Sequence, residues 1–186
     1  MNYEQLYKAF DRVDHSLAKR TEISDLIMER PKNIGTLMQI AFQIDDPISP
    51  KAGWVLEYIA KDHINLLLPY MDKFTKHAGT VHRDSAIRPM AKICEYLMKS
   101  YFGSEDVVTR NTLTTEHLLK ITTLCFDWLI GEHKVAAKAY SMTSLLLLGR
   151  KFDWIWPELR MILEQNYQNG SAAYRARARM TLAKIK

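Results

Sequence analysis

Apolar residues recur at i, i+3, i+4 and i+7 over most of the chain, the spacing that gathers side chains on one face of an α-helix. Four segments carry the pattern in full: Ile34, Leu37, Met38 and Ala41; Ala52, Val55, Leu56 and Ile59; Ile64, Leu67, Leu68 and Met71; and Ile87, Met90, Ala91 and Cys94. Looser versions run through Leu6, Phe10, Val13 and Leu17 and through Leu118, Ile121, Cys125 and Trp128. No segment alternates apolar and polar residues as a half-buried strand does, so the pattern predicts an all-α fold.

Start and stop signals divide the pattern into about ten helices, over 2–19, 22–30, 32–44, 50–62, 64–77, 84–102, 114–130, 132–149, 154–168 and 171–185. Ser49 is placed to cap a helix with Pro50 at its first position, and Thr114 with Glu116 to begin another. Gly103, Gly131 and Gly170 fall where helices should stop. Pro31, Pro69, Pro89 and Pro157 lie in or beside helical patterns, where a proline is tolerated in the first turn and bends a helix elsewhere. The one long connection, FGSEDVVTRNTL over 102–113, is expected to be a surface loop or an insertion.

Two stretches read alike, KAGWVLEYIAKDHINLLLPYMDKF from Lys51 and KVAAKAYSMTSLLLLGRKFDWIWPELRMIL from Lys134. In each, an Ala-rich helix is followed by a turn and a second helix with an apolar cluster and a proline. Ala52 precedes Pro69 by 17 residues and Ala139 precedes Pro157 by 18. Further copies begin at Asp84-Ser85-Ala86 and Ser171-Ala172-Ala173, and the 102–113 insertion lengthens the middle step.

On these residues the chain resembles the HEAT and armadillo helical-repeat proteins, in which paired antiparallel helices recur at a period near 40 residues. The segments LLLPYM and WPELRMIL are similar to that family's second helix, and SAAYRARARMTLAKI to the start of a repeat, so the resemblance covers 34–186. It implies a right-handed α-α superhelix forming a single domain over 1–186. Residues 1–33 would be capping helices, 34–170 helix-pair repeats with the insertion near 102–113, and 171–186 a basic C-terminal helix. One helix pair cannot bury its stripe alone, whereas stacked pairs join their stripes into one core. Ala52, Ala86, Ala136 and Ala176 are expected to let helices approach closely. A final stripe of Ala173, Ala176, Met180 and Ala183 is expected to face inward.

Composition narrows the function classes. Seven Gly and six Pro among 186 residues, with 47% apolar and 25% charged residues, are the proportions of a folded globule. The longest aliphatic run, Leu145 to Leu148, is too short for a membrane span, and Met1-Asn2-Tyr3-Glu4 does not open a signal peptide, so a cytoplasmic protein is expected. The net charge of +5 belongs wholly to 171–186, which carries Arg175, Arg177, Arg179, Lys184 and Lys186 and no acidic residue. Such a helix suits an acidic partner or phosphates, and also its own macrodipole and solubility.

Catalytic fingerprints are absent: the glycines are isolated, and HExxH, CxxC and GxSxG do not occur, so no cofactor is expected. Cys94 and Cys125 form no motif pair. Of six histidines, His15, His63, His77, His82, His117 and His133, only His77 and His82 lie close, with Asp84 nearby. Those three residues offer metal-ligand chemistry, although an exposed polar turn is the commoner state of such a segment. Asp45-Asp46 before Pro47 suits a turn, and Glu105-Asp106 lies in the insertion. Trp54 and Tyr58, four apart beside a buried stripe, either line a groove near Lys51 and Lys61 or pack in the core. Trp154 and Trp156 around Ile155 are expected to staple the start of a helix. The nine methionines suit core filling.

Helical solenoids bind partners on a concave face made by the second helix of each pair, so the resemblance implies a non-catalytic scaffold or adaptor for a protein or peptide. Its candidate contacts are Tyr70, Lys73, Lys76, Lys120, Asp127, Arg160 and Glu164, with Trp54 and Tyr58, and with Arg175 and Arg179 on the basic helix. An alternative resemblance, to HEAT-like DNA glycosylases, implies a nucleic-acid binder without an assignable catalytic aspartate; the charge balance of the first 170 residues weighs against a long phosphate track. Short helical-repeat chains similar to this one are sometimes labelled adenylosuccinate lyase. The signature loop of that much longer family, with Met-Pro-x-Lys-x-Asn, has no counterpart in this sequence.

Overall fold

The computed structural model describes all residues except His15, Glu105 and Lys186, together with the side chain of Leu17. Those parts of the expected first stripe, histidine set, insertion and basic helix therefore lie outside the described residues. Among the described residues the chain is all-helical, with no strand. Eleven α-helices follow one another: α1 (Tyr3–Ala9), α2 (Leu17–Met28), α3 (Asn33–Ala41), α4 (Ser49–Asp62), α5 (Met71–His77), α6 (Asp84–Phe102), α7 (Val107–Thr112), α8 (Thr115–Ile130), α9 (Val135–Leu148), α10 (Ile155–Tyr167) and α11 (Ala172–Leu182). None is long and apolar enough to cross a membrane. The residues cluster into two compact units, Met1–Ile93 and Cys94–Lys186, and the division falls inside α6.

In the first unit the expected helix over 2–19 stops early. A capping box starts α1, Gln5 N donating to Asn2 Oδ1 at 2.9 Å and Asn2 N to Gln5 Oε1 at 3.0 Å. A 3-10 turn at Phe10–Arg12 ends it, and Val13 is extended. Asp14 then accepts from Ser16 N at 2.8 Å, and Ser16 caps α2 by accepting from Lys19 N at 3.3 Å. Short polar side chains that bond the nearby backbone compete with helix continuation, so the break falls there and not near residue 20. Ser49 is not the cap of α4: Ile48 holds that position, while the Ser49 hydroxyl donates to Ala41 O at 2.7 Å and Pro50 sits in the first turn. The helix expected over 64–77 is two pieces, a 3-10 stretch at Ile64–Tyr70 followed by α5, because Pro69 has no N–H to continue an α ladder. The stripes of α3 and α4 are buried as their spacing requires, and Phe10, Leu56 and Phe74 are among the largest side chains wholly out of solvent.

In the second unit α8 and α9 pack side by side across a four-residue connection over 131–134, an αα-hairpin, and α10 and α11 pack on α9 and on each other. Thr114 caps α8, but its partner is His117, which donates its backbone N–H to Thr114 Oγ1 at 3.2 Å and accepts from Thr114 N at Nδ1 at 3.3 Å. Glu116 instead pairs with Lys120 one turn on. Cys94 and Cys125 are free and wholly buried. Burial and a hydrogen bond with Cys125 push the Cys94 thiol well up, which keeps it from acting as a nucleophile at neutral pH.

The expected loop over 102–113 holds α7. Asp106 builds it, accepting from Thr109 N at 2.9 Å, from Thr109 Oγ1 at 2.6 Å and from the Ser100 hydroxyl. Those bonds hold the Asp106 carboxyl below its ordinary range, Ser100 contributing most. A depressed carboxyl stabilises the fold above its unfolded-state titration and loses that contribution as pH falls through the folded one. The Cα chemical shifts of Val107–Thr112 should therefore lose helical character on acidification below the ordinary carboxylate range. An Asp106→Asn variant should show no such step; an identical step in that variant would assign the transition to another group.

The inward face of α11 differs from expectation. Ala173, Ala176 and Ala183 are exposed, Met180 is 55% exposed, and Tyr174, Ala178, Thr181 and Ile185 turn inward. Tyr174 brings far more apolar area than an alanine, so it decides the rotation of the helix. Ala52 and Ala86 are buried as expected, whereas Ala136 is half-buried and Ala176 exposed, with Ala137 and Ala178 taking the close positions.

Candidate functional site

The proline inside α6 organises the surroundings of Trp54. Pro89 cannot donate to Ser85 O, the carbonyl four residues earlier, and Trp54 Nε1 donates to that carbonyl at 2.9 Å. Gly53 lets α4 approach this point: a Cβ there would stand 3.3 Å from Pro89 Cγ and 3.2 Å from Met90 Cε. Beside the indole, Arg88 pairs with Glu57 through two bonds of 3.1 and 2.6 Å. Trp54 is half-buried and, with Arg20, Ser85 and Arg88, lines a cleft of about 440 Å³. It therefore joins both sequence readings, the indole N–H tying α4 to α6 while part of the side chain borders solvent. Tyr58 does not share that cleft, and its hydroxyl accepts from Thr21 Oγ1 at 3.0 Å.

Tyr70 and Lys73 meet at Gly35. A Cβ on Gly35 would lie 2.9 Å from Tyr70 Cε1, and Lys73 Nζ donates to Gly35 O at 3.5 Å. Lys76 is exposed on α5. Trp54, Tyr58 and Lys73 thus each spend a polar group on another helix of their own unit, and the Tyr70 ring packs against Gly35.

In the second unit α10 and α11 border two adjoining clefts that share Glu164. One, of about 470 Å³, is lined by Trp156, Arg160, Met161 and Ile185 among others; the other, of about 360 Å³, by Tyr167, Gln168, Arg179 and Leu182. Arg160 Nη2 donates to Ile185 O at 3.4 Å, which secures the end of α11. Arg175 and Arg179, one turn apart, are exposed. Lys120 is held by Glu116 at 2.7 Å, and Asp127 is exposed on α8. The tryptophans at the start of α10 do not form the expected staple. Trp154 is 50% exposed and stacks on Phe126 with ring centroids 6.0 Å apart, while Trp156 lies against Gly149 and donates to Leu146 O at 3.0 Å.

His77 and His82 do not converge. The His77 ring packs against Phe42 with centroids 5.7 Å apart, whereas His82 Nε2 stands 4.0 Å from Asp45 Oδ1 and Asp84 opens α6. Among the described residues no group of three potential ligands could hold a metal ion. Asp45-Asp46 is a turn: Asp46 accepts from Ile48 N at 2.8 Å and from the Tyr7 hydroxyl at 2.7 Å, and Arg83 donates to the carbonyls of both aspartates. The bond to Asp46 pushes the Tyr7 phenol up.

Sequence spacing did not single out Arg20, Arg88, Gly149 or Tyr174, all of which line or shape a cleft. Pro89 was the available signal for Trp54, since a proline inside a helix frees a carbonyl four residues back. The chain matches no protein-family model, no curated protein and no solved structure.

Proposed function

We propose that the chain is a non-catalytic helical-repeat scaffold that holds an acidic segment of a protein partner along α10 and α11. The observation that carries this reading is the exposed pair Arg175 and Arg179, the second of which lines an α10–α11 cleft, in a segment without any acidic residue. Arginine presents a planar fork of donors that matches a carboxylate bidentately, which favours an acidic strand or helix as the occupant. Next to it, the exposed Ala173, Ala176 and Ala183 keep relief low, and Met161 and Met180 offer adaptable apolar contact. A HEAT- or armadillo-type array and a cytoplasmic location belong to the same proposal. The second reading, a nucleic-acid binder, is favoured by the same two arginines through phosphate contacts.

Affinity capture from cell extract, with and without nuclease, separates the two. The expected result is an acidic protein retained after nuclease treatment, whose retention falls about tenfold or more with Arg175→Glu/Arg179→Glu. Both side chains are exposed, so the variant should keep the parent's thermal midpoint. Retention that disappears with nuclease, together with duplex affinity falling steeply with salt, would move the function to nucleic acid.

A further inference from the structure

We propose a second interaction surface, independent of the α10–α11 face: the outer stripe of α8 pairs antiparallel with the same stripe of a second copy of this chain, forming a two-fold dimer. The inward stripe of α8, with Leu118, Ile121, Cys125 and Trp128, is buried. On the opposite side apolar spacing is repeated in the open. Leu119 is 41% exposed, Ile130 is 61% exposed, and Phe126 between them is half-buried. Thr123, also exposed, completes an i, i+4, i+7, i+11 row. The exposed Trp154 stacks on Phe126 and widens the strip. Apolar side chains scattered singly over a surface are ordinary, whereas a continuous strip along about three helical turns marks a contact face.

The order of residues in the strip points to what covers it. A helix laid antiparallel on its own copy makes each contact twice, about a two-fold axis. With Thr123 of one copy beside Phe126 of the other, Leu119 meets Ile130 in the next layer on both sides of the axis. The small Thr123 leaves space for the Phe126 ring, and Leu119 and Ile130 are alike in volume, so the layers are matched in depth.

Charge completes the match. Lys120 and Asp127 follow Leu119 and Phe126 directly, so they flank the strip on one side with opposite sign. In the antiparallel register Lys120 of one copy faces Asp127 of the other, twice. A parallel register puts them on opposite flanks, where they do not meet. Asp127 is exposed. Lys120 pairs with Glu116 at 2.7 Å, but an ammonium has three donors and keeps capacity for a second carboxylate. An unrelated partner would have to supply this alternation of size and sign, which a second copy carries by construction. One helix face with one tryptophan per copy is a small interface, so association is expected in the micromolar range.

Sedimentation equilibrium of the full chain, from about 1 to 300 µM, tests the proposal. The expected result is a mass rising from one chain to two. Lys120→Glu and Asp127→Lys should each weaken self-association about tenfold or more, because each sets like charges together at two points. Mixed in equal amounts, these two variants should pair with each other at least as tightly as the parent chain with itself, since every facing pair is then opposite in sign. Ile130→Asp, at an exposed position, should weaken association about tenfold or more with the thermal midpoint unchanged. A chain that stays monomeric over the whole range would overturn the proposal and leave the strip to a different protein. Charge variants that fail to pair on mixing, or an Ile130→Asp chain that dimerises like the parent, would overturn it as well. Capture through Arg175 and Arg179 stands or falls separately, because neither residue belongs to the strip.

Discussion

Gly149→Ala is expected to lower stability by about 2–4 kcal/mol, read as a lower denaturation midpoint with an unchanged slope. The cause is space and not backbone conformation. Gly149 caps the C-terminus of α9 at φ −62, a value open to any residue. A Cβ built there would instead overlap the Trp156 indole far inside van der Waals contact. That ring is rigid and held by its N–H bond of 3.0 Å to Leu146 O, so it cannot yield by a small torsion. Moving it breaks the bond and disturbs the first turn of α10, along with the wall of the cleft that contains Arg160. Adding Trp156→Leu should recover part of the loss, since the smaller side chain clears the new methyl. A Gly149→Ala variant as stable as the parent would show that the indole can swing aside without cost.

Phe74→Ala should cost about 3–5 kcal/mol, the range for removing a wholly buried aromatic side chain. Phe74 is completely out of solvent on α5, its ring centroid 6.3 Å from that of Phe42. With seven residues, α5 is far too short to persist as an isolated helix, so its order comes from this packing. The 3-10 segment before it also lacks a regular α ladder because of Pro69. The loss should therefore concentrate over 64–80, where hydrogen exchange should accelerate first and the Lys73 contact with Gly35 should loosen. A cost below about 1 kcal/mol would mean that neighbouring side chains refill the space.

Both expectations depend on features of different legibility. The buried position of Leu37, Met38, Leu56 and Ile59 follows from spacing alone, because branched and long aliphatic side chains leave a helix only one stable orientation. The α11 face was not legible in this way. Its alanines recur at helical spacing, but each buries so little area that their periodicity points nowhere, and Tyr174 with Ile185 overrides them. The helix at Val107–Thr112 escaped notice because it is short and its apolar pair, Val107 and Val108, is exposed. The early end of the first helix was written in Asp14 and Ser16, whose bonds to nearby backbone outweigh the apolar spacing around them.

The candidate site shows the same division. The charge of the last segment could be read directly, and it leads to Arg175 and Arg179. Tyr58, Tyr70 and Lys73 were chosen for their chemistry, yet Tyr58 bonds Thr21, Lys73 bonds Gly35 O and the Tyr70 ring packs at Gly35 in ways that spacing does not encode. The outer strip of α8 could not be seen in advance, since Leu119, Phe126 and Ile130 keep helical spacing just as the buried Leu118, Ile121 and Cys125 do.

By itself the sequence determined the helical class, most helix starts and stops, and the confinement of net charge to the last segment. These are local properties, set by side-chain periodicity, capping groups and composition. Tertiary structure alone decided which face of α11 turns inward, which carbonyl receives the Trp54 indole, and which apolar stripe of α8 stays exposed. Those outcomes depend on area buried and hydrogen bonds satisfied between segments distant in sequence, energies that no single segment contains.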